Sequence, residues 1–198
     1  MEHTLKAEGF GVRLRPVRME DAAFIVWLRN LEHVKGRVGD SAADTTAQEA
    51  WLKTYFKREG DYYFIVETAG GIAVGAYGIY DANADSAESG RWIIRPEVPA
   101  AIPSAVLAFD LAFGVLHLKE VRVSTVSTNQ SVLSLNRRFG FSQVGVDRGG
   151  QVIGGKPVDL VRFLLKAGEW PKPREKLLPL ARLAGSQVSD WERTQTQK

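Results

Sequence analysis

The stretch "ESGRWIIRPEVPAAIPSAVLAFDLAF", residues 88–113, constrains the fold more than any other part of this chain. Residues 88–95 read as a strand that breaks at Pro96. Two further prolines, Pro99 and Pro103, follow before a helical run over about 104–117, and Pro103 suits a first helical turn, where its missing N–H costs nothing. A second strand, "EVRVSTVS" (120–127), comes next. A strand, a covering helix and a strand returning to the same sheet make a right-handed parallel crossover. The residues before the helix are then either an anion-binding turn at a helix N-terminus or only a connector.

The rest of the chain supplies partners for that unit. "GVRLRPV" (11–17) alternates apolar and polar residues and predicts a strand, and "MEDAAFIVWLRN" (19–30) a helix with acids at its positive end. Residues 31–44 read as a loop. Thr46 and Glu49 have capping-box spacing and predict the start of a second helix. Its Trp51, Tyr55 and Phe56 read as core. Residues 62–68 and 72–80 form a hairpin, and 129–140 a short helix between Asn129 as cap and Gly140 as stop. Residues 141–147 and 158–166 flank a glycine-rich loop at 148–157. The order β-α-α-β-β-β-α-β-α-β-β predicts an α/β fold: one mixed, mostly antiparallel sheet with helices on both faces. The domain spans 1–170. Residues 171–198, with Pro171, Pro173 and Pro179, read as a tail holding a short amphipathic segment and a frayed end, which packs on the body, on a second subunit or on nothing; a homodimer stays open.

Charge narrows the partners. Residues 171–198 carry six Lys or Arg against three acids, and the remaining chain holds 20 of each. All the net charge of +3 lies in the tail, so the body lacks the basic face of a nucleic-acid binder. With no cysteine, thiolate chemistry, disulfides and cysteine–zinc sites are excluded. His3, His33 and His117 show no metal-ligand spacing, and no metal is expected. No window approaches the roughly 18 apolar residues of a membrane span, and a cytoplasmic protein is expected.

Two stretches carry a family resemblance. The strand–turn–helix–strand of 88–127, and "NQSVLSLNRRFGF" after it, together resemble the GCN5-related N-acetyltransferases, which acetylate amines from acetyl-CoA. The opening "LRPVRMEDAAFIVWLRN" and the ending "PVDLVRFLLKAGEW" are similar to the subgroup of ribosomal-protein N-terminal and amino-sugar acetyltransferases. The resemblance covers about residues 11–170 and implies acetyl-CoA as co-substrate. One departure stands out. Where the family has a glycine-bearing turn for the pyrophosphate, this chain has "PAAIPS". Alanine still supplies an N–H at a helix N-terminus, so Ala100, Ala101, Ile102 and Ser104 are expected to face the pyrophosphate with fewer bonds. A rigid connector that has lost the cofactor is the competing reading.

The resemblance also implies roles. Strands 88–95 and 120–127 are expected to part around the pantetheine arm, with the backbone of Ile93, Ile94 and Arg95 bonding it and the Ile94 N–H polarising the thioester carbonyl. Asn129 matches the family's arm-binding Asn and is also a plain cap. Asn136 stands where many relatives carry a proton-donating tyrosine. An amide donates a hydrogen bond but no proton. Glu88 is the candidate base, and Arg137 a candidate phosphate ligand. Solvated surface positions compete with each of these roles. Arg29, Asn30, His33 and Arg37 make the 29–44 loop basic, which suits a small anionic acceptor such as a nucleotide-linked amino sugar. A peptide N-terminus is the alternative acceptor, and a silent acyl-CoA binder the alternative class.

Overall fold

A computed structural model describes residues 3–34 and 44–196. Its strands, in chain order, are β1 (Ala7–Gly9), β2 (Val12–Pro16), β3 (Tyr62–Thr68), β4 (Ala73–Tyr80), β5 (Ser86–Ile94), β6 (Glu120–Val126), β7 (Ser142–Ile153) and β8 (Lys156–Lys166). They join in one sheet in the order β1-β2-β3-β4-β5-β6-β8-β7. Every neighbouring pair is antiparallel except β5 with β6. The mixed α/β architecture and the parallel crossover are as the sequence predicts; β1 is an addition.

Alternation along the strands sorts the core into two faces. Phe64 and Val66 of β3 point to one layer, Tyr63 and Ile65 to the other. The second layer is covered by α1 (Ala22–Arg29) and α2 (Thr45–Tyr55). The first is covered by α3 (Ala101–Asp110), α4 (Gln130–Arg138) and α5 (Pro171–Thr196). The cap of α2 is Asp44, whose carboxylate accepts from the Ala47 N–H at 2.8 Å, and not the expected Thr46. Asp44 accepts the same kind of bond two residues earlier, and a carboxylate there also meets the positive helix end.

The segment read as a tail forms one helix of 26 residues. Leu177, Ala181, Gly185 and Val188 make its buried stripe, and Leu177, Ala181 and Val188 join the same core cluster as Val106 and Phe109 of α3. Its prolines do not break it. Pro171 and Pro173 fall in the first turn, and Pro179 is exposed, so the carbonyl it frees can be hydrated. Covering by α5 explains why α3 is buried on nearly every side. Gly185 is required at this contact: a Cβ there would meet the Phe10 carbonyl oxygen at 2.3 Å. The 148–157 loop is shorter than expected, since β7 runs on to Ile153 past a register shift between Asp147 and Gln151.

Candidate active site

The parallel pair opens the site. β5 and β6 are in register only at Ser86 with Glu120, Ala87 with Val121 and Glu88 with Arg122. Beyond Glu88 they part. β5 stays on β4 as far as the pair Ile94–Gly75, and β6 stays on β8 as far as Val126–Leu160. Each strand keeps its outer partner and loses its inner one, so backbone groups of both edges are left facing a gap. A cleft of about 260 Å³ occupies it. Residues 89–92 and 123–126 form its two walls, and Asn129, Val132 and Asn136 of the α4 region close one side.

A bulge shapes the β5 wall. Ala76 pairs with Ile93 and Gly78 with Gly90, so Tyr77 alone opposes both Arg91 and Trp92. Arg91 has φ of 48°, in the left-handed region that glycine normally occupies at such a bulge. A non-glycine residue there costs roughly 1–2 kcal/mol. The extra residue changes the facing of all that follows. Arg91 joins Glu88 on the α1–α2 side, and Trp92 turns to the α3 side, where its indole N–H donates to Ser104 Oγ at 3.2 Å. The Arg91 guanidinium donates to both carboxylate oxygens of Asp61, at 2.5 and 2.9 Å, and lies 4.3 Å from the centre of the Tyr80 ring.

Two groups near the point where the strands part can handle protons; Tyr80 lines the cleft, and Glu88 lies just outside it, next to the lining residue Ser89. Glu88, in the last parallel pair, is half-buried, and burial pushes its carboxyl up against the pull of Arg122 and Arg162. Tyr80 pairs with Glu88 across β4 and β5 and lines the cleft. Its hydroxyl makes no hydrogen bond among the described residues and lies over Gly90, where a Cβ would stand 2.6 Å from it. Burial, and then the neighbouring Glu88 carboxylate, push the Tyr80 phenol up, so it is a neutral donor at pH 7. Tyr77 also lines the cleft, but its hydroxyl is committed to Ser89 Oγ at 2.8 Å.

The turn after β5 is narrower in donors than the sequence suggests. The Ala100 N–H donates to the Val98 carbonyl and the Ser104 N–H to the Ala100 carbonyl. The Ser104 hydroxyl donates to the Ala101 carbonyl at 3.0 Å. Ala100 and Ser104 thus have their N–H groups spent inside the protein, which corrects their expected place as phosphate donors. Ala101 and Ile102, the first residues of α3, have no intrahelical partner for their N–H groups and none elsewhere among the described residues.

Of the other expected residues, Arg29, Asn129 and Asn136 line the cleft. Asn129 is also the cap of α4, accepting from the Val132 N–H at 3.4 Å. Asn136 is buried and donates to Thr125 Oγ1 at 3.1 Å, so it ties α4 to the free wall of β6. Ile93, Ile94 and Arg95 lie beyond the cavity, which meets β5 at residues 89–92 instead. The Arg95 N–H donates to the Val74 carbonyl on β4; by alternation the Ile94 N–H faces the gap side. Arg137 is exposed, bonded to Gln143 and placed over the Phe163 ring, away from the cleft walls. Asn30 donates to the Val26 carbonyl, His33 is exposed, and Arg37 lies outside the described residues. Tyr80, Tyr77 and Arg91 were not foreseen. The one available signal was Tyr80 at the end of "GAYGIY", opposite a strand containing a glycine.

A parted parallel pair with a free helix N-terminus beyond it defines a site for an extended ligand with an anionic end. The family follows from comparison. A model of the acetyltransferase (GNAT) domain matches residues 12–142, and the chain belongs to that family. It is an N-acetyltransferase that takes its acetyl group from acetyl-CoA. Among solved structures it is similar to apo FdhC, a nucleotide-linked sugar GNAT, at TM-score 0.73 and 24% identity over 92% of this chain and 98% of that one. It is also similar to spermidine N-acetyltransferase from Vibrio cholerae in complex with CoA and spermine (TM-score 0.74, 21% identity, 82% and 99% covered). RimJ of Mycobacterium smegmatis in complex with CoA-disulfide gives TM-score 0.76 and 21% identity, with 90% and 96% covered. No curated protein matches. Among the described residues no group of three or more His, Cys, Asp or Glu could hold a metal ion, and no helix is long and apolar enough to cross a membrane.

Proposed function

We propose that the cleft between β5 and β6 receives the acetyl-pantetheine arm and that a small anionic amine, of the nucleotide-linked amino-sugar kind, attacks it from the α1–α2 side. The parting of the two strands after Glu88 and Arg122 carries this reading. Unpaired backbone along residues 89–94 bonds the arm as an added strand would. The N–H groups of Ala101 and Ile102 meet the pyrophosphate, helped by the α3 dipole.

The chemistry needs a neutral amine, a polarised carbonyl and a protonated leaving group. The amine nitrogen bonds to the thioester carbon and the carbon–sulfur bond breaks. Glu88 takes the proton that the nitrogen sheds, directly or through one water, and its raised carboxyl suits that transfer. The Tyr80 hydroxyl gives a proton to the departing thiolate, the task that Asn136 cannot perform. Proton return from Glu88 to Tyr80, its cross-strand partner, resets the pair.

Arg29, which lines the cleft, favours an acceptor carrying negative charge; Arg122 and Arg162 add less, because Glu120 and Asp147 pair with them. The similarity to a nucleotide-linked sugar GNAT supports the same choice. The test is thiol release from acetyl-CoA with a panel of nucleotide-linked amino sugars, spermidine and short peptides with free N-termini. The proposal expects the highest kcat/KM among the nucleotide-linked sugars. Preference for spermidine or a peptide would overturn the acceptor class.

A further inference from the structure

Arg91 is an arginine where the backbone asks for glycine. Its φ of 48° is unfavourable for any residue with a Cβ, and the residue before it, Gly90, does not adopt it instead. Something the side chain does must hold the conformation. The contacts are specific. The Asp61 side chain is 5% exposed and that of Arg91 18%, and the two meet through both oxygens. The guanidinium also lies within 5.3 Å of the Trp51 ring centre and 5.4 Å of that of Tyr63, besides the closer Tyr80. Asp61 comes from the segment before β3, Trp51 from α2, Tyr63 from β3 and Tyr80 from β4, so four separate pieces of chain grip one residue of β5.

We infer that the Arg91–Asp61 pair is a positioning device that holds the β5 bulge. By fixing the left-handed turn at Arg91 it sets which way residues 89–92 present their backbone to the cleft, and it keeps the Tyr80 ring seated over Gly90. Arg91 therefore acts through the backbone and through Tyr80, and its charge is answered by Asp61 and not offered to a ligand. The inference rests on the proposed location of the thioester between β5 and β6.

Four variants separate the possibilities. Arg91→Ala removes the guanidinium and keeps a Cβ, so the left-handed turn loses its support. Arg91→Gly removes the guanidinium and adopts the same turn without penalty. Asp61→Asn leaves the arginine half-buried beside a neutral amide, and Asp61→Asn with Arg91→Gly removes both needs at once. Amide NMR shifts at residues 90–93 read the bulge, urea unfolding confirms that each variant is folded, and steady-state kinetics read the consequence. We expect Arg91→Ala to move those shifts and lower kcat/KM roughly tenfold, the rate equivalent of about 1.4 kcal/mol. Most of that loss should fall in kcat. Arg91→Gly should recover at least about fivefold of it, and the double variant should exceed Asp61→Asn by a similar factor. Unmoved shifts in Arg91→Ala would overturn the inference, as would an Arg91→Gly variant no better than Arg91→Ala, which would mean that the guanidinium meets substrate itself. Moved shifts with wild-type kinetics would displace the thioester from this cleft and remove the inference with it.

Discussion

Replacing Ala101 by glutamate sets two effects of the α3 N-terminus against each other. Ala101 is the first residue of α3 and half-exposed. A carboxylate in that turn faces the positive end of the helix dipole and stabilises the fold by about 0.3–1 kcal/mol. The same carboxylate opposes the pyrophosphate. Two unit charges about 6 Å apart repel by roughly 3 kcal/mol at an effective dielectric near 20 and by roughly 0.7 in bulk water. With salt screening, a net penalty of about 1–2 kcal/mol is reasonable, or roughly 5- to 30-fold weaker CoA binding. Calorimetric titration with CoA at low and high salt reads the affinity, thermal unfolding without ligand reads the fold, and Ala101→Gln controls for size. The expected outcome is an unchanged or raised Tm, CoA binding weakened by that factor, and a smaller gap at high salt. A raised Tm with wild-type CoA affinity would refute the reasoning, because the anion would then lie away from this turn.

Further outcomes follow from the same geometry. Burial raises the Glu88 carboxyl above its unfolded value, so the stability it lends is present below that unfolded value and is lost as pH rises through the folded one. Glu88→Gln should thus be the more stable protein at neutral pH, converge with wild type in acid, and lose the rise of kcat/KM with pH; urea titrations and pH–rate profiles check both. Tyr80→Phe keeps the ring on Arg91 and removes the donor, so kcat should fall by about 10²-fold with little change in the KM for acetyl-CoA; an unchanged kcat would remove Tyr80 from the reaction. Gly185→Ala drives a methyl into the Phe10 carbonyl and should cost roughly 1–3 kcal/mol in urea unfolding. Leu177→Ala empties part of the core under the same helix and should cost about 2–5 kcal/mol, so α5 is structural and not dispensable.

The sequence was most informative where local chemistry and fold agree. Proline punctuation at Pro96 and Pro103, with alternation on either side, marked the crossover. It was least informative where a distant partner decides. Asp61 and Arg91 lie 30 residues apart, and nothing local to "SGRWII" announces a left-handed arginine, because the support comes from α2 and the segment before β3. Three prolines disguised α5, although Leu177, Ala181, Gly185 and Val188 already had helical spacing; its burial depends on α3, far away in the chain. Within the turn, alanines looked like equivalent donors. Only the fold shows that the Ala100 N–H closes on Val98 while those of Ala101 and Ile102 stay free.

Residue-by-residue amide hydrogen exchange, with and without CoA, addresses the location of the cofactor directly. Bound CoA should slow exchange at the Ile94 N–H and other gap-facing amides of residues 89–94, and at Ala101 and Ile102, while the β4-facing amides of β5 change little. Unaltered exchange at these positions, with protection gathered on another surface, would contradict the account.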